Sequence, residues 1–170
     1  MKRKTLFLKW CVINLVSTTI VFVALILAAS HLKSVSGWTI GFASIIGLVY
    51  AVAEIHAGGI SWKTDAVLEA GNSALALKIV RHASQPIEVA ANLCPLIGLL
   101  GTIIGVIIAM GGLEGVTVAD FEHAKATALN GAGVALISTA AGVYACVVLI
   151  VEHYVIKHAI DTPISEEGRA

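Results

Sequence analysis

Two threonines, Thr102 and Thr139, with Ser138 beside the second, are the residues whose type and spacing could do chemistry in this sequence. Each threonine lies on a stripe of small residues within an apolar run. Pro95, Gly98, Thr102, Gly105 and Ala109 step by three and four positions, a spacing that keeps them on one helix face. Ala128, Gly131 (or Ala132), Ala135, Thr139, Gly142 and Cys146 repeat the arrangement. A hydroxyl inside a membrane can hydrogen-bond water or a passing ion, and a small-walled surface suits either a partner helix or a water-lined path. The same stripes also suit plain helix packing, and Gly101 to Gly105 is itself a small-xxx-small match. Hydroxyls alone cannot relay protons, because a relay needs an ionisable group inside the membrane. Neither run carries one at that depth, and Glu152 lies toward the far end of the second run. If this chain conducts, the titrating carboxyl group must come from another chain.

The elements that position these residues are membrane helices. The chain has 170 residues, of which 58% are hydrophobic and 13% charged, and its mean hydropathy is +0.91. A soluble domain carries about 25% charged residues. Stretches near 10–32, 38–53, 89–111 and 128–151 lack Asp, Glu, Lys and Arg altogether. A run of roughly 18 or more apolar residues reads as a spanning helix, so the expected architecture is all-α and polytopic. It has about four transmembrane helices, the last two long and extending into the cytoplasm.

Four units are expected along the chain. Residues 1–58 form an N-terminal hairpin, with the short turn HLKSVSG between its spans and Trp38 at the outer interface. Residues 59–88 form a short cytoplasmic segment, with TDAVLEAGNSALALKIVRH as one helix and Thr64 or Asp65 as its N-cap. Residues 89–160 form a hairpin bearing the two stripes, and 161–170 a flexible, acid-rich tail. Span two ends at EIHAGG, where Glu54 and His56 could pair as a proton-handling site but read more readily as a helix end reaching headgroups. Asn14, Ser17, Thr18 and Thr19 on span one read as helix-contact residues. Span four runs from about 118, behind a Thr117–Asp120 capping box, and stops before Thr162-Pro163.

Depth relates the two threonines. Thr102 is about nine residues from the outer end of its span and Thr139 about eleven, or roughly 14 and 16 Å at 1.5 Å per residue. In an antiparallel hairpin both hydroxyls lie near the bilayer midplane. Orientation follows from basic residues. Lys2, Arg3, Lys4, Lys9, Lys63, Lys78, Arg81, Lys157 and Arg169 gather on the side of the termini, while Lys33 and Lys125 lie opposite. The positive-inside rule places both termini in the cytoplasm.

Other chemistries find little support. The net charge is zero, so no field favours nucleic acid. Cys11, Cys94 and Cys146 sit in apolar runs as small hydrophobes. The six histidines are scattered without metal-ligand spacing, and no nucleophile triad or phosphate-cradling loop is present. A transporter would show broken helices and internal repeats, which are not found. No cofactor is expected.

The runs CPLIGLLGTIIGVIIAM and ALNGAGVALISTAAGVYACVVLIVEHYVI resemble the MotA/TolQ/ExbB proton channel family. The shared patterns are P-x-x-G-L-x-G-T-x-x-G and A-L-x-x-T-A-x-G, over about residues 91 to 157. The resemblance implies a bacterial inner-membrane subunit that forms a homopentameric ring. Two copies of a MotB/TolR/ExbD-like single-span partner sit inside the ring, and an Asp on that partner carries the ion. It also implies that ion flow turns the ring and delivers work to the cell envelope. Thr102 and Thr139 match the family's pore threonines, and Ala140 resembles the proton-using members. Two departures stand out. ExbB-like members carry a Glu where this chain has Val134, and flagellar stators carry a larger cytoplasmic loop than the roughly 35 residues between spans two and three. The competing expectation is a non-conducting membrane scaffold whose small faces only pack helices.

Overall fold

The computed structural model describes the backbone of residues 5–31, 37–114, 117 and 120–167, and the side chains of 6–20, 40–114, 117 and 120–158. Every regular element among them is helical: α1 (Thr5–His31), α2 (Gly37–Glu69), α3 (Ser73–Ala83), α4 (Gln85–Gly111) and α5 (Phe121–Glu167). The turn expected at 31–37 falls largely outside the described residues, as does the side chain of Trp38. Among the described residues, three stretches are long and apolar enough to cross a membrane, namely Ile40–Glu69, Ser73–Gly111 and Phe121–His158. The described side chains of α1 add a shorter apolar helix, Leu6–Ile20. Large apolar side chains such as Leu15, Leu48, Ile107 and Leu136 face outward, as they would against lipid and as a water-exposed surface rarely does.

Apolar composition explains the helices, but polar residues set their ends. The N-terminus of α1 offers amides without intrahelical acceptors. The Asp65 carboxylate of α2 accepts two of them, from Leu6 N at 3.3 Å and Phe7 N at 2.9 Å. An anion at this end also complements the helix dipole. Asp65 therefore caps α1 from across the fold, and fixes where α2 passes it. The reading of Asp65 as a cap for its own helix is corrected accordingly.

α2 does not stop at EIHAGG. Gly58 and Gly59 lie inside it, and a side chain at Gly58 would come within 2.8 Å of the Trp10 ring. The glycine makes room for that indole, which stacks on Phe7 at 5.4 Å. The break comes instead at Gly71, whose φ of +78° is the left-handed conformation that glycine adopts readily. Its N–H donates to Leu68 O at 3.0 Å, and Asn72 N donates to Val67 O at 3.2 Å, a Schellman-type end. Asn72 then caps α3 by accepting from Leu75 N at 3.0 Å. The single helix expected over 64–82 is thus two pieces.

α3 and α4 follow each other with only Ser84 between them, and Pro86 occupies the first turn of α4, where a missing N–H costs nothing. Thr117 donates its hydroxyl to Asp120 at 2.6 Å, and α5 begins at Phe121 rather than 118. It continues through Pro163 to Glu167, so Thr162-Pro163 and the acidic residues Glu166 and Glu167 are helical. Its 47 residues span roughly 70 Å at 1.5 Å per residue, more than twice a hydrocarbon core of about 30 Å. The most extensive contact in the fold is between α4 and α5. α1 and α2 close over it, burying a core that includes Leu6, Ile46, Ile60, Ile87, Cys94, Leu149 and Ile156.

Candidate functional site

The seam between α4 and α5 is built from glycines. A methyl group added at Gly98 would lie 2.8 Å from Ser138 O, one at Gly142 2.6 Å from Cys94 O, and one at Gly105 2.5 Å from Gly131 O. One at Gly131 would collide with Ala109 N and Gly105 O. The neighbours are backbone atoms throughout, so the two helices touch main chain to main chain. Successive residues of α4 meet α5 in reverse order, which makes the hairpin antiparallel.

This corrects the assignment of the stripes. Gly98, Gly105, Gly131, Ala135 and Gly142 do not form a face reserved for another chain's helix. They are used by α4 and α5 against each other. Pro95, Ala109 and Ala128 are half-buried at the border of the seam.

Thr102 and Thr139 sit on that border at one height, their hydroxyls hydrogen-bonded to each other. Thr139 donates to Ala135 O at 2.9 Å. Thr102 lies 3.1 Å from Gly98 O and 3.3 Å from Ala135 O. Each hydroxyl has one hydrogen and two lone pairs. Two hydrogens therefore serve this whole set, and oxygen lone pairs are left over. Thr139 is exposed and Thr102 partly so, which turns those lone pairs toward whatever lies beside the hairpin. The pair can accept hydrogen bonds from water, a hydrated cation or a side chain of another protein.

Ser138 does not join them. It is 1% exposed, and its hydroxyl lies within reach of two carbonyls of its own helix, Val134 O at 2.7 Å and Ala135 O at 3.2 Å. The residue fills the space above Gly101, on the side facing Phe42. A position one residue away on a helix is turned by about 100°, which is enough to move Ser138 from the outer border to the interior. The expectation that it lines a passage with Thr139 is corrected.

A second polar group contains Asn14 and Ser17, which make the helix contacts expected of them, and adds Tyr50, Glu54, Tyr144 and Glu152, which the sequence reading does not join to them. Between α1, α2 and α5, Asn14 donates to Glu152 Oε1 at 2.7 Å, and Ser17 meets Tyr50 OH at 3.2 Å and Tyr144 OH at 2.6 Å. Tyr144 also donates to Ser17 O at 2.7 Å. Glu54 is buried beside Tyr50 and Glu152. It is not a helix end reaching outward. His56, its supposed partner, faces away and meets Ala83 O at 2.9 Å. Spacing held the signal: Asn14 and Ser17 are three apart, Tyr50 and Glu54 four, and Tyr144 and Glu152 eight, each pair sharing a helix face. Among the described residues no three His, Cys, Asp or Glu side chains gather as a metal site.

A model of the MotA/TolQ/ExbB proton channel family matches residues 51–166. The chain belongs to that family. The match takes in most of α2, all of α3 and α4 and almost all of α5, well beyond the two glycine-rich patterns, so the membership rests on the whole α2–α5 assembly. Among curated proteins and among solved structures, none matches the chain. Within the family frame the departure at Val134 has a physical counterpart: Val134 is fully buried in the protomer, where an unpaired carboxylate would cost several kcal/mol. The membrane role of a proton channel family thus falls on a chain whose α4–α5 midpoint carries hydroxyls and no acid.

Proposed function

We propose that this protein is the ion-conducting subunit of an energy-transducing membrane complex driven by the proton motive force. The reading rests on one observation above others, the Thr102–Thr139 hydroxyl pair held at one level on the open border of the α4–α5 seam. Copies of the chain form a homopentameric ring in the bacterial inner membrane, with both termini in the cytoplasm and the hydroxyl borders turned inward. A MotB/TolR/ExbD-like partner with a single span, in two copies, supplies the Asp that carries the ion. The chain's part is to offer oxygen lone pairs at mid-membrane, so that the ion exchanges some of its hydration for protein ligands next to that Asp. The ion is a proton. Ala140, next to Thr139, adds no second hydroxyl to the set, and so leaves fewer oxygens than a sodium ion would need. Passage of the ion turns the ring against the partner and delivers work outside the membrane.

The scaffold alternative drew its support from the small stripes, which the α4–α5 contact now accounts for within one chain. That packing fits a scaffold as well; what favours a pathway is that the Thr102–Thr139 pair, bonded across the contact, keeps lone pairs turned to its open border. Proton flux into vesicles holding this chain and an Asp-bearing single-span partner tests the proposal. Thr102→Val and Thr139→Val keep the side-chain shape and remove the oxygen. Each is expected to lower flux at least tenfold, the effect of about 1.4 kcal/mol, the scale of one lost hydrogen bond. Flux equal to the parent in both variants refutes the pathway.

A further inference from the structure

We propose that Glu54 and Glu152 form a proton-binding site inside each protomer, two buried carboxyl groups holding one proton between them. The site is separate from the threonine pair. Glu152 lies thirteen residues beyond Thr139 on α5, roughly 20 Å along the helix, and on the inner side of the fold.

The burial is real on both sides. Glu54 is 7% exposed and Glu152 1% exposed. Neither has an ion pair with Lys or Arg among the described residues, where the ion pair is Glu122 with Lys125. Both oxygens of Glu54 and the Oε2 of Glu152 lack a partner in hydrogen-bond geometry, although Glu54 stands close enough to Glu152 and to Tyr50 to interact with each. Three bare carboxylate oxygens in one core would cost several kcal/mol for each charge, and two adjacent charges of like sign add repulsion. One proton removes a charge and converts one of the bare oxygens into a donor to another.

The surrounding groups face the right way for a proton. The side-chain amide of Asn14 lies between two acceptors, Trp10 O at 3.3 Å and Glu152 Oε1 at 2.7 Å. Both contacts call for its NH2 group. Glu152 Oε1 therefore accepts, and the proton is left to Oε2 or to Glu54. From α2 the titratable neighbour is Tyr50; from α5 Tyr144 bonds Ser17, and His153, next in sequence to Glu152, has a buried Nδ1 without a partner, as has the Trp10 Nε1 of α1. Tyr144 gives its hydrogen to Ser17 O, so Ser17 gives its own to Tyr144, and the oxygen of Ser17 is free to accept from Tyr50. α1 contributes no charge to the site. A metal cation would need several oxygen ligands, but Asn14 presents its nitrogen and Tyr144 spends its hydroxyl on Ser17. The ligand that fits is a proton.

The test is the infrared spectrum of the full chain alone in lipid nanodiscs at neutral pH. The absence of the partner removes its carboxyl groups from the signal. The expected result is a protonated-carboxyl carbonyl band of one per chain, shifted by transfer to D2O and lost in the Glu54→Gln/Glu152→Gln double variant. Gln retains shape and pairing, and unchanged helicity and assembly mass show that the variant is folded. A parent spectrum without a protonated-carboxyl band overturns the proposal with no variant needed. So does a band that persists in the folded double variant, or a parent band abolished by exchanging potassium for sodium at constant pH. None of these readings uses flux, so failure here leaves the threonine pathway untouched, and the reverse also holds.

Discussion

Replacing Gly105 by Ala probes the seam with the smallest change chemistry allows. The added carbon would stand 2.5 Å from Gly131 O, 2.6 Å from Ala135 N and 3.0 Å from Ala135 Cα. All three are backbone atoms of α5, so no rotamer change relieves the clash. Ordinary van der Waals contact starts at 3.4 Å. The helices must part locally by about 0.9 Å, an overpacking that costs roughly 1–3 kcal/mol. Backbone neighbours place this case toward the upper end. Alanine returns about 1 kcal/mol through its better helix propensity. The expected net loss is about 1–2 kcal/mol, a change of roughly five- to thirtyfold in the unfolding equilibrium. Gly47→Ala is the control, because nothing lies within 4 Å of the added carbon, and it keeps only the propensity gain. Detergent-induced unfolding followed by circular dichroism, on both variants and the parent, measures the difference. Gly105→Ala below the parent and Gly47→Ala at or above it is the expected order. Equal stability of the two variants would refute main-chain contact between α4 and α5, and with it the geometry that holds Thr102 to Thr139.

Ser138→Ala removes a hydroxyl that bonds only its own helix, so proton flux in the vesicle assay stays within about twofold of the parent; a loss as large as that of Thr139→Val would place Ser138 on the path after all. Asp65→Ala leaves the first amides of α1 without their acceptor, at a cost of about 1–2 kcal/mol, the value of a lost N-cap; hydrogen exchange at Leu6 and Phe7 should speed up, and unchanged exchange there would discount the cap. Gly58→Ala drives a carbon to 2.8 Å from the Trp10 ring. Tryptophan fluorescence should then shift as the indole moves, whereas Gly59→Ala, with open space around it, should leave the spectrum as it was.

Much of this architecture is legible in the amino acids, and the part that is not has a common cause. Period and hydropathy identify a helix and the face it sets apart, so the Gly98–Thr102–Gly105 stripe and its counterpart around Thr139 stand out at once. They do not say what a face meets. A stripe of glycines is equally consistent with a helix from the same chain and one from another, and here α5 takes it. Ser138 and Thr139 are adjacent in sequence and both hydroxylic, but the rotation of one residue sends them to opposite sides. Helix ends are obscured for a related reason. Gly58–Gly59 looks like a break, yet α2 passes through because Trp10, 48 positions earlier, needs the space. Gly71 ends the helix because its neighbours Val67 and Leu68 have carbonyls to satisfy, a local demand that the flat stretch LEAGNS states only weakly. Asp65 is a cap, as its residue type suggests, but the helix it caps begins 59 residues away.

The glycine seam also bears on where an acid can sit in this protomer. Main-chain contact between α4 and α5 leaves no volume for a carboxyl group and its solvation, and Val134 fills a buried position one turn before Ser138. Ionisable groups are thereby displaced from the level of Thr102 and Thr139. They reappear at Glu54 and Glu152, where α1 and α2 lie over α5 and supply Asn14, Ser17 and Tyr50 as company. Under the proposed function, a protomer of this design offers lone pairs at the level of Thr102 and Thr139 but no titrating group there, which is why the proposal calls on a second chain for the acid. Introducing an acid at the seam, as in Val134→Glu, should for that reason fail to replace the partner. The carboxyl group would be buried inside the protomer and away from the open border, and vesicles with the variant alone should show no more proton flux than vesicles with the parent alone. Partner-independent flux from Val134→Glu would mean that the interior of the seam, and not its border, is the route.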